Sequence, residues 1–277
     1  MQRTSKIKIS IFALLILVFL VFLSCKDNKP SRPKSEPPEG IILPLEGKII
    51  FNLTEKYENY NEVGNPRIML SMYTEKIYPC FNYFLITRVL PQGEKISVVV
   101  SGIYIPNSCL TAFGPARYMT FLDLAEGEYS LSFSYEGVID RYVLDLSVSS
   151  IKVICKDSSF TRLEFPLVWR YPPMSFAYLC GTTTETIWIC DDFLDSLQSN
   201  LNIVEFQFPD SGIIPYPTSS MGYYYDMPAK YFLYDKEEDF DYAIELLKRY
   251  GQEVIVNYEG VGISLINWRN KSYGSWH

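Results

Sequence analysis

From residue 43 to residue 156 the chain is divided by turn residues into short apolar-rich runs, and that rhythm limits the fold more than any other feature. The runs cover 48–53, 67–73, 82–90, 95–104, 117–124, 128–135, 141–148 and 151–155, with no helical pattern among them. In one of them Tyr129, Leu131, Phe133 and Tyr135 fall on one side and Ser130, Ser132 and Ser134 on the other. That period of two belongs to a strand with one dry face and one wet face. Seven or eight such strands in about 110 residues predict an antiparallel β-sandwich over residues 43–156.

Beyond residue 156 the texture changes, and residues 157–277 are expected to form a small α+β domain. The clearest helix has Asp235 as its cap and Glu238 three residues on, with Phe240, Ala243, Ile244 and Leu247 on one stripe and Gly251 as its stop. Flanking strands at 231–234, 253–258 and 263–268 make a β-α-β-β unit, because a helix with one apolar stripe must lie against a sheet. Two further strands are predicted at 186–190 and 202–208, with a short helix capped by Asp192 between them. No repeat of 20 to 50 residues is visible.

The start of the chain carries Arg3, Lys6 and Lys8, then an unbroken apolar run from Ile11 to Leu23. This is the layout of a secretory signal, and at roughly 20 Å as a helix the run is shorter than a roughly 30 Å hydrocarbon core. The segment Phe22-Leu23-Ser24-Cys25 resembles the lipobox of bacterial lipoproteins, with Phe22 in place of the usual Leu. The resemblance implies removal of residues 1–24, diacylation of Cys25, and membrane attachment through lipid. With Lys26 and Asp27 following the cysteine, the outer membrane or cell surface is the expected address. Residues 25–42, rich in proline and poor in apolar side chains, are expected to be a disordered tether.

Removing residues 1–24, which hold three of the 25 basic residues and no acidic one, leaves 22 basic against 32 acidic side chains, a net charge of −10. Such a body repels phosphate backbones, so no nucleic-acid partner is expected. Five cysteines follow Cys25, and an odd number leaves at least one unpaired. Connectivity is not readable from spacing, but proximity suggests Cys80 with Cys109 and Cys180 with Cys190; the alternative is that all five are reduced. Cys155 shares a strand face with Ile151 and Val153 and is expected to be buried.

Residues 124–131 resemble the corner before a late strand in immunoglobulin-like and fibronectin-type sandwiches, where a small residue stands two before a tyrosine. Gly127 and Tyr129 match that spacing, and the likeness implies that the Tyr129 hydroxyl ties back to the chain. The paired inter-sheet cysteines of those domains are not matched, since position 131 is Leu.

Chemistry is scarce. General acid–base catalysis most often uses histidine, and the only one is His277, the last residue. No cysteine pair has the spacing of a zinc site, so neither metal nor cofactor is expected. The acidic clusters Asp191, Asp192, Asp195 and Glu237, Glu238, Asp239, Asp241 fall at predicted helix starts, where they complement the macrodipole. What remains is the aromatic loop 209–228, with Tyr216, Tyr223, Tyr224 and Tyr225. Those rings either offer stiff contact area to a protein or glycan ligand, or pack over the sheet as a lid. The expectation is a non-enzymatic, lipid-anchored binding or envelope-structural protein; the alternative is a carboxylate-based hydrolase acting on polysaccharide.

Overall fold

The computed structural model describes residues 41–59, 62–220 and 222–276. Cys25, the export signal and nearly all of the expected tether lie outside them, as does His277. The fold is mainly β, with one large curled mixed sheet and a second, smaller sheet.

The large sheet contains β1 (Ile41–Leu43), β2 (Ile49–Lys56), β3 (Arg67–Tyr78), β4 (Phe84–Gln92), β5 (Lys95–Ile105), β6 (Gly114–Leu122), β7 (Gly127–Tyr135), β8 (Val138–Leu146), β9 (Ser150–Asp157), β10 (Thr161–Leu163) and β11 (Leu167–Trp169). Each of the eight apolar runs forms one of these strands. The order is β10-β2-β3-β6-β4-β5-β7-β8-β9-β11, with β1 on β5. The antiparallel expectation needs correction here. After β5 the chain leaves to place β6 beside β3 and returns to lay β7 along β5 in the same direction, so β5–β7 is parallel, as are β4–β6 and β10–β2.

Strands far apart in that order meet across one core. Phe51 of β2 contacts Phe133 of β7 at 4.4 Å and Tyr142 of β8 at 4.8 Å between ring centres. The alternation in β7 works as the sequence implies: Tyr129, Leu131 and Phe133 are buried while Ser130 is exposed. The Tyr129 hydroxyl donates to the Ala125 carbonyl at 2.8 Å, closing the corner before β7. Asp140, 1% exposed, accepts from the backbone N–H groups of Ser159, Phe160 and Thr161 and from the Thr161 hydroxyl. It holds β10 against β2 by satisfying donors that the turn leaves open. Cys155 is exposed rather than buried. Cys155 keeps its register opposite Tyr142, but β9 is exposed from Ile154 onward, so the face that buries Ile151 and Val153 is uncovered where Cys155 stands.

The small sheet contains β12 (Ser175–Thr182), β13 (Ile203–Phe206), β14 (Tyr225–Asp226), β15 (Lys230–Tyr234), β16 (Gly262–Asn267) and β17 (Ser272–Trp276), in the order β13-β15-β12-β16-β17 with β14 on β12. Two helices, α1 (Ile187–Asn200) and α2 (Glu237–Glu253), connect β12 to β13 and β15 to β16. All pairings are antiparallel, so each helix joins two parallel strands with a third between them. Two interlocked split β-α-β units result, the strand order of a ferredoxin-like sheet.

Several expected boundaries move. Residues 186–190 start α1 instead of forming a strand, because Ile189, Cys190, Phe193, Leu194 and Leu197 make one buried helical stripe. Asp192 therefore lies inside the helix and accepts from the Tyr250 hydroxyl at 2.7 Å. At α2, Asp239 rather than Glu238 reaches back, to the Lys236 N–H, while Asp235 accepts from the Asn202 side chain. Gly251 does not stop α2; a β-carbon there would collide with the Ser275 hydroxyl of β17, so the glycine permits close packing. Residues 253–258 finish α2 and make a 3-10 turn at Ile255–Asn257, and β17 supplies the last strand of the β-α-β-β unit.

Candidate functional site

The small sheet is dry on both faces at its central strand, and the aromatic loop is the reason. One face carries Phe176, Tyr178, Phe232, Ile263 and Leu265 against the two helices. The other carries Ala177, Leu179 and Tyr231, covered by Tyr216, Ile214 and Phe208 from the chain after β13. All eight residues of β12 are buried as a result.

The four loop tyrosines separate into two roles. Tyr216 is 3% exposed and exchanges hydrogen bonds with the Ser175 hydroxyl and carbonyl, so it is a core residue that packs over the sheet and offers no contact area to a ligand. Burial pushes its hydroxyl pKa well above the usual tyrosine value, with Tyr171, Tyr234 and Glu55 adding to the shift and the Ser175 bond opposing it. Tyr223 lies across the glycine pair Gly181 and Gly262, which face each other on β12 and β16. A β-carbon on either would collide with the Tyr223 ring, so the two glycines form its seat. Tyr224 and Tyr225 point outward, and Tyr224 is 83% exposed.

Tyr224 is displayed on a segment fastened to the sheet. The Met227 N–H donates to the Cys180 carbonyl at 3.0 Å, β14 pairs Tyr225 with Thr182, and Ala229 N–H donates to the Thr218 carbonyl at 2.9 Å. Asp226 accepts from the Ser220 hydroxyl and the Tyr223 N–H, each at 3.3 Å. Tyr224 then forms one side of a shallow groove of about 490 Å³, whose other walls are residues 183–186 before α1 and Asn257, Tyr258 and Glu259 after α2. Tyr258 is braced edge-on by Trp188 of α1 at 5.5 Å.

The threonines of this groove are ordered from within. The Thr186 hydroxyl meets those of Thr182 at 2.7 Å and Thr183 at 2.9 Å, which fixes the turn ahead of α1. Glu185 and Glu259 have neither an ion pair nor a hydrogen-bond partner among the described residues, and no basic residue lines the groove. The site is thus aromatic, hydroxyl-rich and acidic. Sequence reasoning found Tyr224 through the crowding of its loop. It missed Tyr258, Glu185 and Glu259, because isolated residues in turns carry no pattern until the fold gathers them.

Other predicted residues lie away from this groove. Cys80 is joined to Cys109 and Cys180 to Cys190, the second bridge tying β12 to α1. Asp239 caps α2, Asp241 pairs with Lys271, and Glu237 stands 3.9 Å from Arg269. Among the described residues no group of three His, Cys, Asp or Glu side chains could hold a metal ion, and no helix is long and apolar enough to cross a membrane. No protein-family model, no curated protein and no solved structure matches this chain.

Proposed function

We propose that this chain is a lipid-anchored extracytoplasmic binding protein, held at the outer membrane or cell surface through Cys25, whose groove beside Tyr224 takes a neutral or amine-bearing glycan. The observation that carries the binding reading is the fastened display of Tyr224, with Tyr258, Glu185 and Glu259 in the same groove. Aromatic faces stack on the apolar faces of sugar rings, hydroxyls and carboxylates take their hydroxyl and amine protons, and unpaired carboxylates repel acidic sugars. A ring fixed before the ligand arrives also loses little freedom on binding.

In this reading the large curled sheet is a sandwich of the immunoglobulin-like kind that spaces the groove from the membrane. The Tyr129 to Ala125 hydrogen bond and the single core shared by distant strands support it. The two disulfides suit an oxidising compartment.

The test is retention of neutral, amine-bearing and acidic oligosaccharides on the immobilised mature chain. Neutral or amine-bearing sugars are expected to be held, and Tyr224→Ala to weaken them about 10- to 30-fold. Retention of envelope proteins alone would pass the groove to a protein ligand and overturn the glycan reading. A carboxylate-based hydrolase is the second reading, drawing on Glu185 and Glu259; it requires the wild-type chain to shorten an oligosaccharide that Glu185→Gln and Glu259→Gln leave whole.

A further inference from the structure

We infer that the disulfide-tied end of the large sheet is a lipid-contacting tip that rests on the bilayer to which the chain is tethered, an inference that builds on the lipid-anchor reading. The tip is built from the turn after β3 and the loop between β5 and β6. The Cys80–Cys109 bridge joins them, the Phe81 N–H donates to the Leu110 carbonyl, and the Asn82 side chain donates to Ser108 and accepts from Leu110. Below it Tyr78 and Tyr83 stack in the core. Its apolar side chains nevertheless face out: Phe113 is 81% exposed, Leu110 58%, Phe81 44% and Phe84 43%. A rigid scaffold holding large apolar groups in water marks a contact surface.

This end carries no charged side chain of its own. Residues 77–87 and 98–116 together hold no Asp, Glu, Lys or Arg, whereas a protein that is 21% charged would place about six there. The flanking cations lie at its rim. The Arg117 guanidinium sits 4.9 Å over the Phe81 ring, and Lys76, ion-paired with Glu46, lies 5.5 Å from the Tyr78 ring. Apolar tips with aromatic side chains and basic rims match the boundary between acyl chains and headgroups.

The point of entry of the chain selects lipid over other occupants. β1 pairs Ile41 with Ile105, the last residue of β5 before the loop that carries Leu110 and Phe113. Only the fifteen residues 26–40 separate Cys25 from Ile41, a reach of at most about 55 Å. Acyl chains on Cys25 therefore keep this end, with Ile41 itself 68% exposed, within tether reach of the bilayer surface.

The test uses the full mature chain with Cys25→Ser, so that attachment cannot come from acyl chains, and phosphatidylcholine vesicles. The chain is expected to sediment with vesicles to the same extent at low and high salt, with amide exchange slowed over residues 107–113. Leu110→Ser with Phe113→Ser, at exposed positions that leave the thermal midpoint unchanged, is expected to lower that partition at least about ten-fold. Absence of vesicle association, or equal association of the double variant, would overturn the inference. So would a two-chain mass in solution that the double variant returns to one chain, since the tip would then belong to a second copy. Intact mass of the native chain reports separately on Cys25: a chain without added hydrocarbon would defeat the anchor reading and leave the vesicle result standing.

Discussion

In the large sheet the core is closed by the sheet itself, with Phe51 of β2 lying on Phe133 and Tyr142 from strands far along the order. In the small sheet the core is finished instead by two helices on one face and a tyrosine-bearing loop on the other. The difference teaches where surface for binding can arise. A self-closing sheet fastens its turns with buried polar groups, as Asp140 does. A sheet closed by a loop must spend some loop aromatics on the core, and the neighbours of those anchors are then displayed in fixed positions. Tyr216 and Tyr223 are the anchors, and Tyr224 is the displayed ring.

Alkali should have the largest effect: burial raises the pKa of Tyr73, Tyr78 and Tyr142 in the large sheet, and of more tyrosines in and around the small one. Burial raises the pKa of Tyr178, Tyr216, Tyr231 and Tyr250, and pushes Tyr234 up to about 12. A folded-state value above the unfolded value of about 10 means that the unfolded chain loses its protons first. Their contribution is full below about pH 10 and is lost as pH rises toward 12 and beyond. Circular dichroism against pH is expected to show α1 and α2 melting in that window.

Asp140→Ala is expected to cost the large sheet about 3 to 5 kcal/mol, since the N–H groups of Ser159 and Phe160 and the buried N–H and hydroxyl of Thr161 lose their acceptor. Denaturant midpoints measure it, and an effect below about 1 kcal/mol would mean that solvent already reaches those groups.

Gly262→Val should destabilise by about 1 to 3 kcal/mol by displacing Tyr223 from its seat, and should also weaken any groove ligand by moving Tyr224. Unchanged binding in a destabilised variant would separate anchor from display.

Tyr216→Phe removes only the hydrogen bonds to Ser175, for about 1 kcal/mol. Tyr224→Ala is expected to leave stability within about 0.5 kcal/mol while abolishing most binding, the smallest effect on the fold and the sharpest division between the two kinds of tyrosine.

The legible part of the fold was the part written in local periodicity. The eight strand runs from 48 to 155 and the stripe Phe240, Ala243, Ile244 and Leu247 each state their structure over a few residues. Residues 186–190 misled because five apolar-rich positions fit a strand or a buried helix turn equally, and only Phe193, Leu194 and Leu197 packing on β12 decides between them. Cys155 misled because its alternation with Ile151 and Val153 names a face but not how far the rest of the chain covers it. Of the candidate site, only the tyrosine crowding could be seen in advance.

The sequence by itself determined that residues 43–156 form short strands, that a helix follows near residue 237, that the body is acidic, and that nearby cysteines could pair. Tertiary structure alone decided which strands lie side by side in parallel, which loop tyrosines became core, and that Tyr224, Tyr258, Glu185 and Glu259 share one groove. The physical reason is range. Periodicity, capping and turn preference act over a few residues, whereas burial and apposition depend on what the rest of the chain brings to the other side.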